Sequence, residues 1–294
     1  MNSPSATPSN PSPQENARFG SGKAVKRLED QQLLIGAGQY TNDVALPDQT
    51  HLVFLRSPYP HAKIVSIDAT SAKEMPGVRG VFTGADLQAA GVKPMARPMN
   101  FKRADGSPLS STTRYPLATD MVLFVGEPVA AVVADTEMQA RDAAEAIQID
   151  FEALPSATLL SDALAPNAPL FTEAPDNIVA ETRYGDAAAT QQAFDQAAHV
   201  VHLDIVNQRV AALSIEPRSV LAYPDNGRLT IRMSSQMPTG VRNTVSDLIG
   251  IDKEKVRVIV GDVGGGFGMK TGAYAEDVVT AFCAHTLARP VKWI

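Results

Sequence analysis

The stretch VRVIVGDVGGGFGMKT, Val256 to Thr271, places four glycines within the five positions from Gly264 to Gly268, between a strand-like run and a helix-like one. A loop of this kind can cradle phosphate. A nucleotide P-loop, however, needs glycine directly before its Lys-Thr pair, and a dinucleotide fingerprint starting at Gly264 needs glycine in the same place. Met269 stands there, so both patterns fail at one residue. Two readings remain. Glycine permits a tight strand-to-helix turn and close backbone packing with no ligand at all. Alternatively, since each glycine costs chain entropy, a run flanking a single Phe serves a backbone that must approach something bulky and polar, its N–H groups turned outward as an anion nest.

Further polar groups precede this loop. SSQMP, Ser234 to Pro238, sets two hydroxyls and the Gln236 amide after one strand-like run and directly before a helix. Strand ends are where open α/β layers collect ligand groups, and a Gln amide donates or accepts without bringing charge; capping the helix is the alternative use. In SIEPRSV, Ser214 to Val220, Glu216 and Arg218 stand close enough for a strand-end ion pair, or belong to a site. His199 and His202 invite a metal reading, but positions three apart on a strand face opposite sides and cannot chelate one ion. They read as core or rim histidines. Cys283 lies among apolar residues and reads as a small packed hydrophobe.

The elements that must position these groups divide the chain. From Leu33 to about Leu154, LVFLRS, KIVSID, VRGVFTG, MVLFVG and PVAAVVA read as strands, the last two apolar enough for buried ones. TEMQARDAAEAI reads as a helix opened by a Thr136–Gln139 capping box, and IQIDFEAL as a strand after it. The Pro- and Ala-rich segment from Leu154 to Asn177 reads as an interdomain crossing. Beyond it, HVVHLDIV and RSVLAY read as strands, and YPDNGRLTIRM as a hairpin turning on Asn226-Gly227. TGVRNTVSDLIG sets Val241, Val245, Leu248 and Ile249 on one helical face closed by Gly250. KVRVIVGDV alternates as a strand, and AEDVVTAFCAHTLARP reads as a helix stopped by Pro290. The expected division is an arm over 1–24, a first domain over 25–154, a linker over 155–176 and a second, incomplete domain over 177–294. The strand-like VKWI ends the sequence, which predicts a fragment or one piece of a split protein, with an unpaired edge and an apolar face left open.

Composition narrows the function. The 294 residues are 44% hydrophobic and 20% charged, the balance of a globular chain with a real core. A net charge of -6 supplies no basic footprint and argues against nucleic acid as the main partner. A single cysteine leaves no disulfide framework, Cys-rich zinc site or cysteine-ligated iron–sulfur cluster within these residues. No apolar run approaches the roughly 18 residues of a membrane span. The opening MNSPSATPSNPSPQENARFG has neither an apolar signal core nor twin arginines, and reads as a disordered, cytoplasmic arm.

GDVGGGFGMK, with SSQMP before it and IEPR before that, resembles the molybdopterin-binding subunit of the xanthine dehydrogenase, aldehyde oxidase and aerobic carbon monoxide dehydrogenase family. RLEDQQLLIGAGQYTNDV, RSPYPHAKIVSIDATSAKEMPGVRGVFTGADL and FVGEPVAAVVADTEMQARDAAEAI are similar to that family's amino-terminal hammerhead domain. The resemblance runs in order from Val25 to Ile294. It implies a mixed α/β (α+β) fold: a hammerhead-like α/β domain, then the first part of a molybdenum-cofactor-binding α/β domain. It implies a molybdenum hydroxylase, in which an aldehyde or N-heteroaromatic substrate is oxidised with oxygen from water. The implied cofactor is molybdenum-molybdopterin in its cytosine dinucleotide form, contacted by Gln236, Gly265, Gly266, Phe267 and Gly268, with Phe267 also an apolar wall of the substrate pocket. No side chain here is implied as a direct metal ligand. The general base is expected beyond Ile294, in a carboxy-terminal portion or companion subunit, and electrons are expected to pass to an iron–sulfur (2Fe-2S) subunit and an FAD subunit. Purine-acting members carry an acidic residue after the loop lysine, where this chain has Thr271. Two other readings stand beside this one: a phosphate-binding protein using Gly264 to Lys270 as a degenerate nucleotide loop, and a non-catalytic scaffold of the same fold.

Overall fold

The computed structural model describes residues 26–95, 101–169, 171, 173–208 and 210–294. The arm expected over 1–24 lies outside them. The chain divides into two compact units, Met1–Gly38 and Gln39–Ile294. In the described residues of the first, a short helix, α1 (Asp30–Leu34), follows Arg27, whose Nε donates to Asp30 Oδ1 at 2.8 Å.

In the second unit β1 (Thr50–Arg56), β2 (Ala62–Asp68), α2 (Thr70–Lys73), β3 (Val78–Thr83) and α3 (Gly84–Ala89) come first. Next are β4 (Met121–Val122), β5 (Pro128–Ala134), α4 (Glu137–Glu145), β6 (Gln148–Ala153), α5 (Leu160–Ala163) and α6 (Ala187–Gln196). The last third holds β7 (Val220–Asp225), β8 (Arg228–Met233), α7 (Pro238–Ile249), β9 (Val256–Ile259), α8 (Ala275–Leu287) and β10 (Val291–Trp293). A seven-stranded mixed sheet runs β3-β5-β1-β10-β7-β8-β9, and a three-stranded sheet runs β4-β2-β6.

Strands from both halves of the chain therefore share one sheet. The join is a parallel pairing of β1 with β10, Thr50 opposite Val291, and β10 then pairs antiparallel with β7. This overturns the expectation that VKWI leaves an unpaired edge: it lies between two strands, Val291 is fully buried, and α8 before it is buried from Ala275 to Ala284. One core cluster accordingly joins Leu52, Phe54 and Val133 to Val220, Ile231, Val245, Val279 and Val291.

Local signals explain much of the rest. Thr136 accepts from the Gln139 N–H and Gln139 Oε1 accepts from the Thr136 N–H, the reciprocal cap that starts α4. That helix lays Ala140, Ala143 and Ala144 on the sheet against Ala130 and Val132. Asn226 (φ 48°) and Gly227 (φ 77°) both take left-handed conformations, as a two-residue hairpin loop demands. α7 buries Val241, Val245 and Leu248 and stops at Gly250, whose φ is 72°.

Two expected strands fail. MVLFVG pairs only over Met121–Val122, after which Phe124 and Val125 turn outward, because Glu127 Oε2 takes the Leu123 N–H and pulls the chain into a turn. HVVHLDIV forms no strand: His199 to Val206 are exposed and without regular structure. Its apolar alternation has no neighbouring strand to bond with among the described residues. No described helix is long and apolar enough to cross a membrane.

Candidate functional site

Topology brings three chain segments to one place. β8 and β9 are parallel neighbours, Ile231 opposite Val258 and Arg232 opposite Ile259, so the residues that follow each strand emerge at the same end of the sheet. β7 runs antiparallel to β8 with Val220 opposite Met233, which puts the residues preceding β7 at that end too. SSQMP after β8, the glycine loop after β9 and SIEPRSV before β7 thus meet. Carboxyl ends of parallel strands are where such sheets gather ligand groups.

Gln236 is clamped to the loop. Its N–H donates to the Lys270 carbonyl at 2.8 Å, and its side-chain Oε1 accepts from the N–H groups of Gly268 at 3.1 Å and Lys270 at 3.3 Å. Two backbone donors fix which end of the amide faces the loop, so Nε2 is turned away as a donor. The same contact explains a glycine: a Cβ on Gly266 would lie 2.6 Å from the Gln236 amide carbon and oxygen. Gly268 is glycine for another reason. It has φ 84° with open space around it, so the backbone conformation itself excludes a side chain without strain. Phe267 takes φ 47° between these residues, its ring 73% exposed, and projects from the loop.

The N–H groups of Gly265, Gly266 and Phe267 have no intramolecular acceptor among the described residues. Gly264, by contrast, donates to Glu216 Oε2 at 2.7 Å. The loop is therefore pinned at both ends and offers bare donors in its middle. Backbone N–H groups of this kind suit oxo or other anionic acceptors. No group of three or more His, Cys, Asp or Glu is placed to hold a metal ion among the described residues.

Beneath the loop lies a charged layer. Lys270 Nζ, with no exposed side-chain area, donates to Ser234 Oγ at 2.8 Å, Glu216 Oε2 at 3.0 Å and the Glu216 carbonyl at 3.0 Å. The Ser234 hydroxyl donates in turn to Glu216 Oε2 at 2.7 Å. Burial pushes the Glu216 carboxyl up, but the bonds from Ser234, Gly264 and Lys270 outweigh it and hold the group below its ordinary value. Glu216 Oε1 is buried with no partner among the described residues. Of the two readings open for SIEPRSV, the ion pair between Glu216 and Arg218 does not form. Arg218 reaches instead to Glu276 Oε2 at 3.1 Å, while Arg56 binds Glu276 Oε1 at 2.8 Å. The Arg218 guanidinium also lies 3.9 Å from the centre of the Tyr274 ring, a cation–π contact. Burial pushes Glu276 up and the two arginines bring it below its usual range. Beside it Asp277, which accepts the Tyr274 N–H, is pushed up to about 7 by burial.

The loop residues and Gln236, singled out from the sequence, are thus brought together. Phe267 is adjacent and outward. His199 and His202 are exposed, on irregular chain that follows α6, and Cys283 is buried on α8, where burial pushes its thiol up. The role of Lys270 was missed. Its signal was faint: a lone lysine in an otherwise neutral glycine loop.

Comparison with known proteins agrees with this architecture. The aldehyde oxidase and xanthine dehydrogenase a/b hammerhead domain matches residues 35–155, and the molybdopterin cofactor-binding domain matches residues 170–294. The chain is 37% identical to the nicotine 6-hydroxylase large subunit of Paenarthrobacter nicotinovorans, over 93% of this chain and 33% of that protein. It is 35% identical to the carbon monoxide dehydrogenase large chain of Afipia carboxidovorans, over 94% of this chain and 34% of that protein. Among solved structures, quinoline 2-oxidoreductase from Pseudomonas putida 86 superposes with a TM-score of 0.85 at 36% identity, over 93% of this chain and 34% of that one. The chain spans about a third of the length of these relatives. With a hammerhead domain followed by a molybdopterin-binding domain in one continuous match, the chain belongs to the molybdopterin-binding subunits of the xanthine dehydrogenase, aldehyde oxidase and carbon monoxide dehydrogenase family, corresponding to their hammerhead and first cofactor-binding regions.

Proposed function

We propose that this chain forms one wall of the cofactor and substrate site of a molybdenum hydroxylase acting on an aldehyde or N-heteroaromatic compound. The observation that carries this reading is a set of donors: three loop amides with no acceptor among the described residues, beside a Gln amide whose oxygen is already engaged. Such a patch fits a group rich in oxo and phosphate oxygens, and the open space at Gly268 lets a bulky group approach the main chain. The cofactor, when bound, supplies two-electron redox chemistry for hydroxylation with oxygen from water. The residues of this chain bind and orient. Gln236 Nε2 would donate a hydrogen bond to an acceptor on the cofactor, the amides of Gly265, Gly266 and Phe267 would do the same, Gly268 would let the backbone come close, and the Phe267 ring would exclude water and stack a planar substrate. Nicotine and quinoline, named in the descriptions of two relatives, both contain an N-heteroaromatic ring and favour that class.

The remaining parts of this reading are proposed with it, and the matched share of about a third of each relative leaves room for them. The general base and most pterin contacts belong to polypeptide outside these residues, as do the 2Fe-2S and FAD carriers. The pterin is proposed in its cytosine dinucleotide form, and a hammerhead region over 25–154 is proposed to lead through 155–176 into the cofactor-binding region from 177.

Molybdenum and pterin content of the protein purified with its partners tests the proposal. Near-stoichiometric metal is expected, and Gln236→Ala, which removes a hydrogen bond worth about 1–3 kcal/mol, should slow reduction of the metal by substrate without a comparable fall in melting temperature. Absence of both metal and pterin from an otherwise intact complex would overturn it. A nucleotide retained in their place would select the phosphate-loop reading.

A further inference from the structure

Lys270 is a charged side chain with no exposure at all. Removing an ammonium from water costs several kcal/mol unless its charge and donors are matched, and an apolar residue of similar volume often serves stability as well or better. The lysine must therefore do something an apolar residue cannot. Its three protons find Ser234 Oγ, Glu216 Oε2 and the Glu216 carbonyl, so the ammonium is satisfied. Through Glu216 Oε2 it reaches the Gly264 N–H, where the loop begins. Through its own main chain it holds Gln236, giving an N–H to Oε1 and taking the Gln236 N–H on its carbonyl. One residue thus grips the start of the loop with its side chain and the amide opposite with its backbone. The glycine at 264 completes the arrangement, since a Cβ there would lie 2.5 Å from Glu216 Cβ.

We infer that the buried Lys270–Glu216 pair, with Ser234, is the positioning element of the site, setting the spacing between Gly264 and Gln236 so that the loop amides and the Gln236 amide present one donor surface. The importance of that surface rests on the cofactor reading above; the spacing itself does not. Lys270 and Glu216 act through Gln236 and the loop and are positioning residues rather than catalytic ones.

Amide hydrogen exchange on the full-length protein, in the assembly in which it is purified, tests this. In Lys270→Met the N–H groups of Gly264, Gly268 and Lys270 should exchange at least about tenfold faster, the factor one charge-assisted hydrogen bond is worth, while α7 and α8 keep their rates. Ser234→Ala should give a smaller acceleration confined to the same amides. The decisive variant is Lys270→Met with Glu216→Gln, which removes the stranded carboxylate charge. Melting temperature should recover towards wild type while loop exchange stays fast and cofactor retention stays low. Recovery of loop protection together with melting temperature would overturn the inference, as would unchanged exchange in Lys270→Met. Should Lys270→Met fail to fold, Ser234→Ala and the double variant carry the same test. Metal content of the wild-type protein reads the cofactor proposal separately: loosened amides in the variants with no molybdenum in wild type would leave the positioning role standing and remove the hydroxylase reading alone.

Discussion

From Pro128 to Ala134 every side chain is buried, whereas from His199 to Val206 every side chain is exposed. Both runs are rich in valine and other β-formers. The first became β5, flanked by β1 and β3 and covered on one face by α4. The second has no strand beside it among the described residues. The difference teaches that apolar composition proposes a strand but a neighbouring strand to bond with makes one, because unpaired backbone N–H and C=O groups keep a lone extended run in water. The site lies between these extremes. Its glycine loop is half-buried at Gly264 to Gly266 and exposed at Phe267 and Gly268, and it is pinned from below by the fully buried Lys270 side chain.

The comparison is broken most severely by charge. Val132→Asp would bury an unpaired carboxylate at a position with no exposure, and loss of folded protein is expected, a cost of several kcal/mol read by circular dichroism and soluble yield. The same change at Leu203 should leave the melting of the chain nearly untouched. If Leu203→Asp were equally damaging, the second run would be packed in solution.

Asp277 sharpens the comparison on the covered side. Its folded carboxyl holds its proton to about 7 against an ordinary value of 3.8. Between those values the folded state binds more protons than the unfolded one, so this group removes stability as pH rises, by up to about 1.4 kcal/mol per pH unit. Glu216 and Glu276, both held low, act in the opposite sense, adding stability that is lost as pH falls through their folded values. The measurement is therefore a difference. Asp277→Asn should gain stability relative to wild type as pH climbs from about 4 to 7 and level off above, and a flat difference would show that Asp277 is already ionised.

A smaller effect is expected at Gly268. Alanine there meets no neighbouring atom, so only the left-handed backbone resists it, at about 1 kcal/mol. Cofactor retention should fall further than melting temperature does, and equal losses would return the loop to a plain packing role. The smallest effect is Leu203→Ser, which should shift the stability of this chain by no more than about 0.5 kcal/mol, as urea titration would show.

Much of the fold was legible locally. The α4 cap, the Asn226-Gly227 hairpin and the face of α7 all rest on residues a few positions apart, where steric preference and hydrogen-bond reach act directly, whereas Gln236 meets the glycine loop across 32 and 34 positions, through the sheet. MVLFVG misled for a related reason: its apolar run promised a strand, but the carboxylate of Glu127 bonds back to Leu123 and turns the chain.

What the amino-acid order settled on its own was therefore most of the sheet strands, the helices α4, α7 and α8, and the conformations its glycines require, since these follow from backbone sterics and side-chain type. Which strand lies beside which needed the folded chain. The pairing of β1 with β10 joins Thr50 to Val291, and no local preference encodes a contact across that distance. The partner of Glu216 was equally hidden: the nearest cation in sequence is Arg218, yet the parallel ends of β8 and β9 bring Lys270 from 54 positions away, and Arg218 turns to Glu276. Charge pairing is decided by distance after the sheet has formed, and a buried ammonium takes whichever acceptors the packed backbone leaves within its reach.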